Sequence, residues 1–156
     1  MTRTFSDTAP TETPPTRVRD LMTPAPRAIS PETSVQEAYR LMQDQHIGHL
    51  PVCEDGRLVG LLSECDLRLV LPSPATSLAA HEVHSLLERL TVAEVMTRFP
   101  VTIGPDHTVT EAASRMLTHK VQALPVTENR RLVGILTRTH VLYAFLRSQA
   151  AQPLAA

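Results

Sequence analysis

The feature that most constrains this chain is that it is written twice. Residues 18–68 lie over residues 92–142, 74 positions on, without a gap. "VRDLMTPAPRAISPETSVQEAYRLMQ" falls on "VAEVMTRFPVTIGPDHTVTEAASRML", and "DQHIGHLPVCEDGRLVGLLSECDLR" on "THKVQALPVTENRRLVGILTRTHVL". Nineteen of the 51 pairs are identical and several of the others conservative, which marks an internal duplication. A unit of about 50 residues cannot easily bury both faces of its own elements. The two copies are therefore expected to pack sheet to sheet about a pseudo-twofold axis, with helices outside and a cleft along the axis. Clefts between repeats are common ligand sites.

Each copy carries the same order of signals. A short strand is expected at residues 27–29, followed by a turn at "SPETS". Ser34 with Glu37, and Thr108 with Glu111, have the spacing of a capping box. Val35, Ala38 and Met42 recur at helical spacing, as do Val109, Ala112 and Met116. "HLPV" and "ALPV" open the next strands, and "EDG" at 54–56 is a hairpin turn signal. "RLVGLL" and "RLVGIL" are partner strands too apolar to face water on one side. Ser63 and Thr137 stand where a second helix begins. The expected fold is α+β (α/β): two tandem β-α-β-β-α repeats, residues 17–71 and 91–147. Residues 72–90 join them, first as loop and then, from about Ser77, as a helix with Leu78, Leu86 and Leu90 packed on the module. The Thr- and Pro-rich residues 1–16 and residues 148–156 are expected to be flexible tails.

Composition removes several functions. A formal net charge of -1 leaves no basic surplus for phosphate backbones, and three Phe, two Tyr and no Trp make a poor base-stacking platform, so a nucleic-acid partner is not expected. No apolar run approaches the roughly 18 residues of a membrane span, and the first 16 residues lack the apolar centre of a secretory signal. Cys53 and Cys65 are too few for a disulfide framework and read as small buried hydrophobes in a reducing cytoplasm. There is no nucleophile elbow, Walker A loop or dinucleotide fingerprint, so no enzyme is expected. His81, His84 and Glu88 share a face of the linker helix but lack H-E-x-x-H spacing and a further ligand, so they read as a solvated face and no metal is expected. Met22 and Met96 line the cleft or fill core.

The chemistry concentrates in "GLLSECD", residues 60–66, and its echo "GILTRTH", residues 134–140. Ser63 sits between strand and helix, where its hydroxyl and the first backbone N–H groups suit a phosphate. Asp66 lies one turn later on the same face, and its carboxylate can accept hydrogen bonds from two adjacent hydroxyls such as those of a ribose. Gly60 allows close approach of a neighbouring backbone or a ligand. The plainer alternative makes Ser63 an N-cap and Asp66 a helix-dipole partner. Recurrence of the unit in a duplicated fold weighs toward the ligand.

These segments, with "DLMTP", "HLPV" and "GRLVGLLSECD" and their counterparts, resemble the CBS motif, and the pair resembles a stand-alone CBS pair, or Bateman module, over about residues 17–146. The linker "LPSPATSL" before "LTVAEVMT" resembles, more narrowly, small acetoin-utilisation-type CBS proteins. The resemblance implies a non-catalytic regulator that binds an adenosine-containing ligand (AMP, ADP, ATP or S-adenosylmethionine) and signals by changing shape. It also implies a homodimer acting on a protein effector that the sequence does not name. By position, one site would combine Gly60, Ser63 and Asp66 with a base-facing wall of Thr97, Val101, Val121, Gln122 and Ala123. The other would combine Gly134, Thr137 and His140 with Thr23, Arg27, Ile47, Gly48 and His49. It departs from the pattern at His140, because a neutral imidazole accepts one hydrogen bond and cannot clasp a ribose diol. Either that site is empty, or Arg27, His49 and a protonated His140 turn it toward a polyphosphate tail; otherwise His140 is a solvent-facing helix residue. The rival to a sensor is a scaffold or oligomerisation module whose ligand sites have decayed.

Overall fold

The structure, a computed structural model, describes residues 16–71 and 79–150. The expected N-terminal tail up to residue 15, residues 72–78 of the linker with Leu78 among them, and residues 151–156 lie outside the described residues. Two β-hairpins form the frame. In the first, β2 (His49–Glu54) pairs with β3 (Arg57–Ser63); in the second, β5 (Ala123–Glu128) pairs with β6 (Arg131–Thr137). Asp55 and Gly56 turn the first hairpin with φ of 51° and 76°, as the Asp-Gly pair favours. Asn129 and Arg130 adopt the same left-handed turn at 51° and 65°, without a glycine. The hairpins meet where Arg57 lies opposite Arg131, which joins everything into one six-stranded sheet.

The remaining strands are exchanged between the copies. β1 (Thr23–Pro24) pairs with β6 of the second copy, and β4 (Thr97–Arg98) pairs with β3 of the first. The strand expected at 27–29 is therefore displaced to Thr23–Pro24, and Ile29 keeps only a parallel bridge to Val52 of its own copy. The short helices that precede these strands cross as well. α1 (Val18–Leu21) hydrogen-bonds to the second copy through Val18 N–H to His107 O at 2.9 Å and Arg19 N–H to Pro105 O at 3.0 Å. α5 (Val92–Val95) does the same to the first copy, Val92 N–H to Thr33 O at 2.8 Å and Ala93 N–H to Pro31 O at 2.9 Å.

Packing follows the exchange. One apolar core holds Val35, Ala38, Met42, Leu50, Val52, Leu62 and Leu67 with Val92 and Met96 from the other copy. The second holds Ile103, Ala112, Met116, Leu124, Val126 and Leu136 with Val18 and Met22 from the first. The helical stripes read from sequence thus face these cores: α2 (Val35–Gln45) buries all three expected residues, and α6 (Val109–His119) buries Ala112 and Met116 but leaves Val109 partly exposed. Thr108 and Glu111 close a full capping box. Ser34 only accepts from Glu37 N–H, at 3.2 Å. The linker helix α4 (Ala80–Arg89) begins later than expected, and its inward residues are Val83, Leu87 and Leu90; Leu86 points outward at 47% exposure. α3 (Glu64–Val70) and α7 (Arg138–Ala150) follow the hairpins, and α7 continues through Ala150. No helix among the described residues is long and apolar enough to cross a membrane.

Candidate functional site

Two clefts lie at the seam, of about 390 Å³ and 440 Å³. Both fall in the size range of small-molecule pockets. The first brings together Ser63, Asp66, Thr97, Val101, Val121, Gln122 and Ala123. The second brings together Thr23, Arg27, Ile47, Gly48, His49, Thr137 and His140. Sequence reasoning missed Leu61, Cys65, Phe99, Pro100, Lys120 and, as a shared wall, His49 in the first cleft. It missed Ala25, Pro26, Gln45, His46, Ile135 and Thr139 in the second. Most are legible once the 74-residue offset is applied to both walls: Lys120 and His46 are paired, as are Phe99 and Ala25. Lys120 and His46 reach the rims because each ends its helix in a left-handed conformation, at φ 55° and 52°. Of the first cleft's lining residues, only His49 has a counterpart, Ala123, that does not line the second, so the clefts are pseudo-symmetric copies.

Gly60 and Gly134 line neither cleft. A Cβ on Gly60 would collide with the Sδ of Met96, and one on Gly134 with the Sδ of Met22. The close approach they allow is that of the exchanged methionines, which settles those two side chains as core.

The strand-to-helix junction is more self-contained than sequence implied. Ser63 N–H and Oγ–H both donate to Asp66 Oδ2, at 2.8 and 2.6 Å, and Asp66 N–H donates to Ser63 Oγ at 3.2 Å. The next amide, Glu64 N–H, donates to Gly48 O at 2.9 Å. Four donors at the junction, the hydroxyl and three amides, are thus consumed within the fold. What the junction offers a ligand is Asp66 Oδ1, which has no partner among the described residues. The capping role and an acceptor role coexist, one on each carboxylate oxygen.

His140 takes over the capping half of this job. Thr137 N–H donates to His140 Nδ1 at 3.1 Å, so Nδ1 is the acceptor and the proton of the neutral ring sits on Nε2. Burial holds its pKa below the usual imidazole range. The ring is partly buried and its Nδ1 caps the junction, a role that neither reading made from sequence included. Burial also lowers the pKa of His49, against the opposing pull of Asp66 and Glu64. The first cleft therefore presents a carboxylate acceptor against an apolar wall, and the second presents donors, the Arg27 guanidinium and the Nε2–H of His140.

Of the remaining side chains, Cys65 lines the first cleft and the others fall outside both. Cys65 is exposed, contrary to expectation, because its position on α3 faces away from Leu67. Cys53 is half-buried and burial raises its thiol pKa. His84 contacts Gln36 at 2.7 Å and Glu88 at 3.2 Å. Among the described residues no three His, Cys, Asp or Glu are grouped to hold a metal ion.

Fold and clefts define a class: a tandem-repeat module whose halves complete each other and enclose two pseudo-equivalent interfacial pockets. The CBS domain model matches residues 18–73 and 92–147, and the chain belongs to the CBS-domain family as a pair of such domains. It is 36% identical over 127 residues to an inosine-5'-monophosphate dehydrogenase of Korarchaeum cryptofilum, covering 81% of this chain but only 22% of that enzyme. Among solved structures it resembles CBSX2 in complex with AMP, at TM-score 0.70 and 30% identity, covering 86% of this chain and 98% of that one. It also resembles the CBS domain pair of protein MJ0100 in complex with 5-methylthioadenosine and S-adenosyl-L-methionine, at TM-score 0.71 and 27% identity over 86% and 99% of the two chains. The likeness to acetoin-utilisation proteins extends to a structure of AcuB from Vibrio cholerae, TM-score 0.69 and 27% identity over 88% and 98%.

Proposed function

We propose that the protein is a non-catalytic cytoplasmic sensor that binds an adenosine-containing ligand (AMP, ADP, ATP or S-adenosylmethionine) in the first cleft. The observation that carries this reading is the opposition of Asp66 Oδ1, on one copy, to the apolar wall of Val101, Val121 and Ala123 on the other. A ribose diol meets the carboxylate and a purine lies on the wall. Such a ligand touches both copies, so it favours the arrangement in which both contacts form, and its differential affinity sets the size of the shift. The complexes of CBSX2 with AMP and of MJ0100 with S-adenosylmethionine support the ligand class. The second cleft, without an acid and with Arg27, is the weaker nucleoside site and favours an anionic group.

The output surface includes α7, where Leu142, Tyr143, Phe145 and Leu146 are 56–62% exposed. That apolar face supports a twofold pair of chains and a protein effector that reads it. The test is thermal unfolding with each of the four ligands, for the wild type and Asp66→Ala. Ligand at 100 times Kd adds about 2.7 kcal/mol, roughly 5–10 °C. The ligand-induced shift, not the baseline, should vanish in Asp66→Ala. No shift with any ligand would favour a scaffold with decayed sites.

A further inference from the structure

Phe99 stands apart from the other large apolar side chains. It is 91% exposed and belongs to neither core. Its φ is 51°, in the left-handed region where a bulky side chain is an outlier. It lies between β4 and Pro100 and lines the first cleft beside Val101 and Val121. Its counterpart Ala25 has φ 43° and lines the second cleft. Both copies carry the unusual backbone, so the backbone belongs to the fold; the ring belongs to one cleft alone. That cleft is also the one with the carboxylate. An aromatic face left in water gains by covering a flat heterocycle.

Resting on the ligand reading above, we infer that Phe99 is the base-reading residue of the first cleft: its ring stacks on the purine while Asp66 holds the ribose. The apolar wall forms one side of the base slot and the phenyl face the other. Ala25 leaves the second cleft without this partner, so that cleft does not discriminate for a base. The pair thus divides its labour by one side chain at each end of the ligand: an acid for the sugar, a ring for the base, both present at one seam and both absent at the other.

Ala25 shows that the fold accepts alanine at this backbone conformation, so Phe99→Ala should fold. Calorimetry would measure AMP and S-adenosylmethionine binding to the wild type, Phe99→Ala, Phe99→Trp and Asp66→Ala, and ligand-observed NMR would measure ribose 5-phosphate, which lacks a base. Phe99→Ala should weaken the adenosine ligand about tenfold, leave ribose 5-phosphate unchanged, and be rescued by Phe99→Trp. Asp66→Ala should weaken all of them. Unchanged adenosine binding in Phe99→Ala, with loss in Asp66→Ala, would overturn the inference and spare the ligand reading. Equal weakening of base-bearing and base-free ligands would overturn it too, as would a change confined to oligomeric state. A wild type that binds neither adenosine compound would remove both.

Discussion

Replacing His140 by aspartate tests how the second junction is built. In the wild type, Thr137 N–H donates to a neutral imidazole nitrogen at 3.1 Å. In the first copy the equivalent carboxylate takes both the Ser63 N–H at 2.8 Å and its hydroxyl at 2.6 Å. A neutral hydrogen bond contributes about 1 kcal/mol net, and one to a carboxylate about twice that. A carboxylate in the first turn of α7 gains a further ~0.3–1 kcal/mol from the helix dipole. His140→Asp should therefore stabilise the protein by about 1–2 kcal/mol near neutral pH, or roughly 2–8 °C in Tm for a chain of this size. The gain should depend on pH. The folded pKa of His140 is depressed by burial, so the unfolded chain binds the proton more readily. Its contribution is then present above the ordinary imidazole pKa of about 6.5 and is lost as pH falls through the folded value. His49 is common to both proteins and cancels in the difference. The advantage of the variant should widen between about pH 7.5 and about pH 5.5, where only the imidazole gains a proton. Circular-dichroism melts at the two pH values decide it. A variant that melts no higher than the wild type, or an advantage that narrows on acidification, would refute the capping account.

Three further outcomes follow from packing. Gly60→Ala should lose about 1–3 kcal/mol by overpacking Met96, and Met96→Ala in the same chain should recover part of it, as read by denaturant unfolding. Arg130→Gly should gain about 0.5–1 kcal/mol by relieving a left-handed residue in a turn that favours Asn-Gly, seen as a higher denaturant midpoint. Leu87→Ala should cost about 2–4 kcal/mol and Leu86→Ala less than about 0.5 kcal/mol, which reads out which face of α4 packs.

The 74-residue offset made most of this fold legible, because both copies repeat the same periodic stripes, and Val35, Ala38 and Met42 are all buried. The exchange was not legible. Thr23–Pro24 and Thr97–Arg98 are two-residue strands with no period to read, and their partners lie in the other copy. Gly60 read as a ligand glycine because the side chain that needs it, Met96, is 36 positions away in sequence. On α4, Leu86 and Leu87 both fit a leucine-rich helix, and only the observed packing chose between them. Asp66 and the wall residues do share a cleft, as position implied. Phe99 was missed because a single aromatic in a loop carries no pattern; comparison with Ala25 at the same offset would have marked it.

The crossing of α1 and α5 has a bearing on ancestry. A protein made of one such unit would have had its first segment lying on a neighbour and an unfilled place of its own. It could have been stable only as a mutual embrace of two identical chains. Fusing two such chains would tether an association already in place and would leave the twin seams free to differ, as they do at Asp66 and His140.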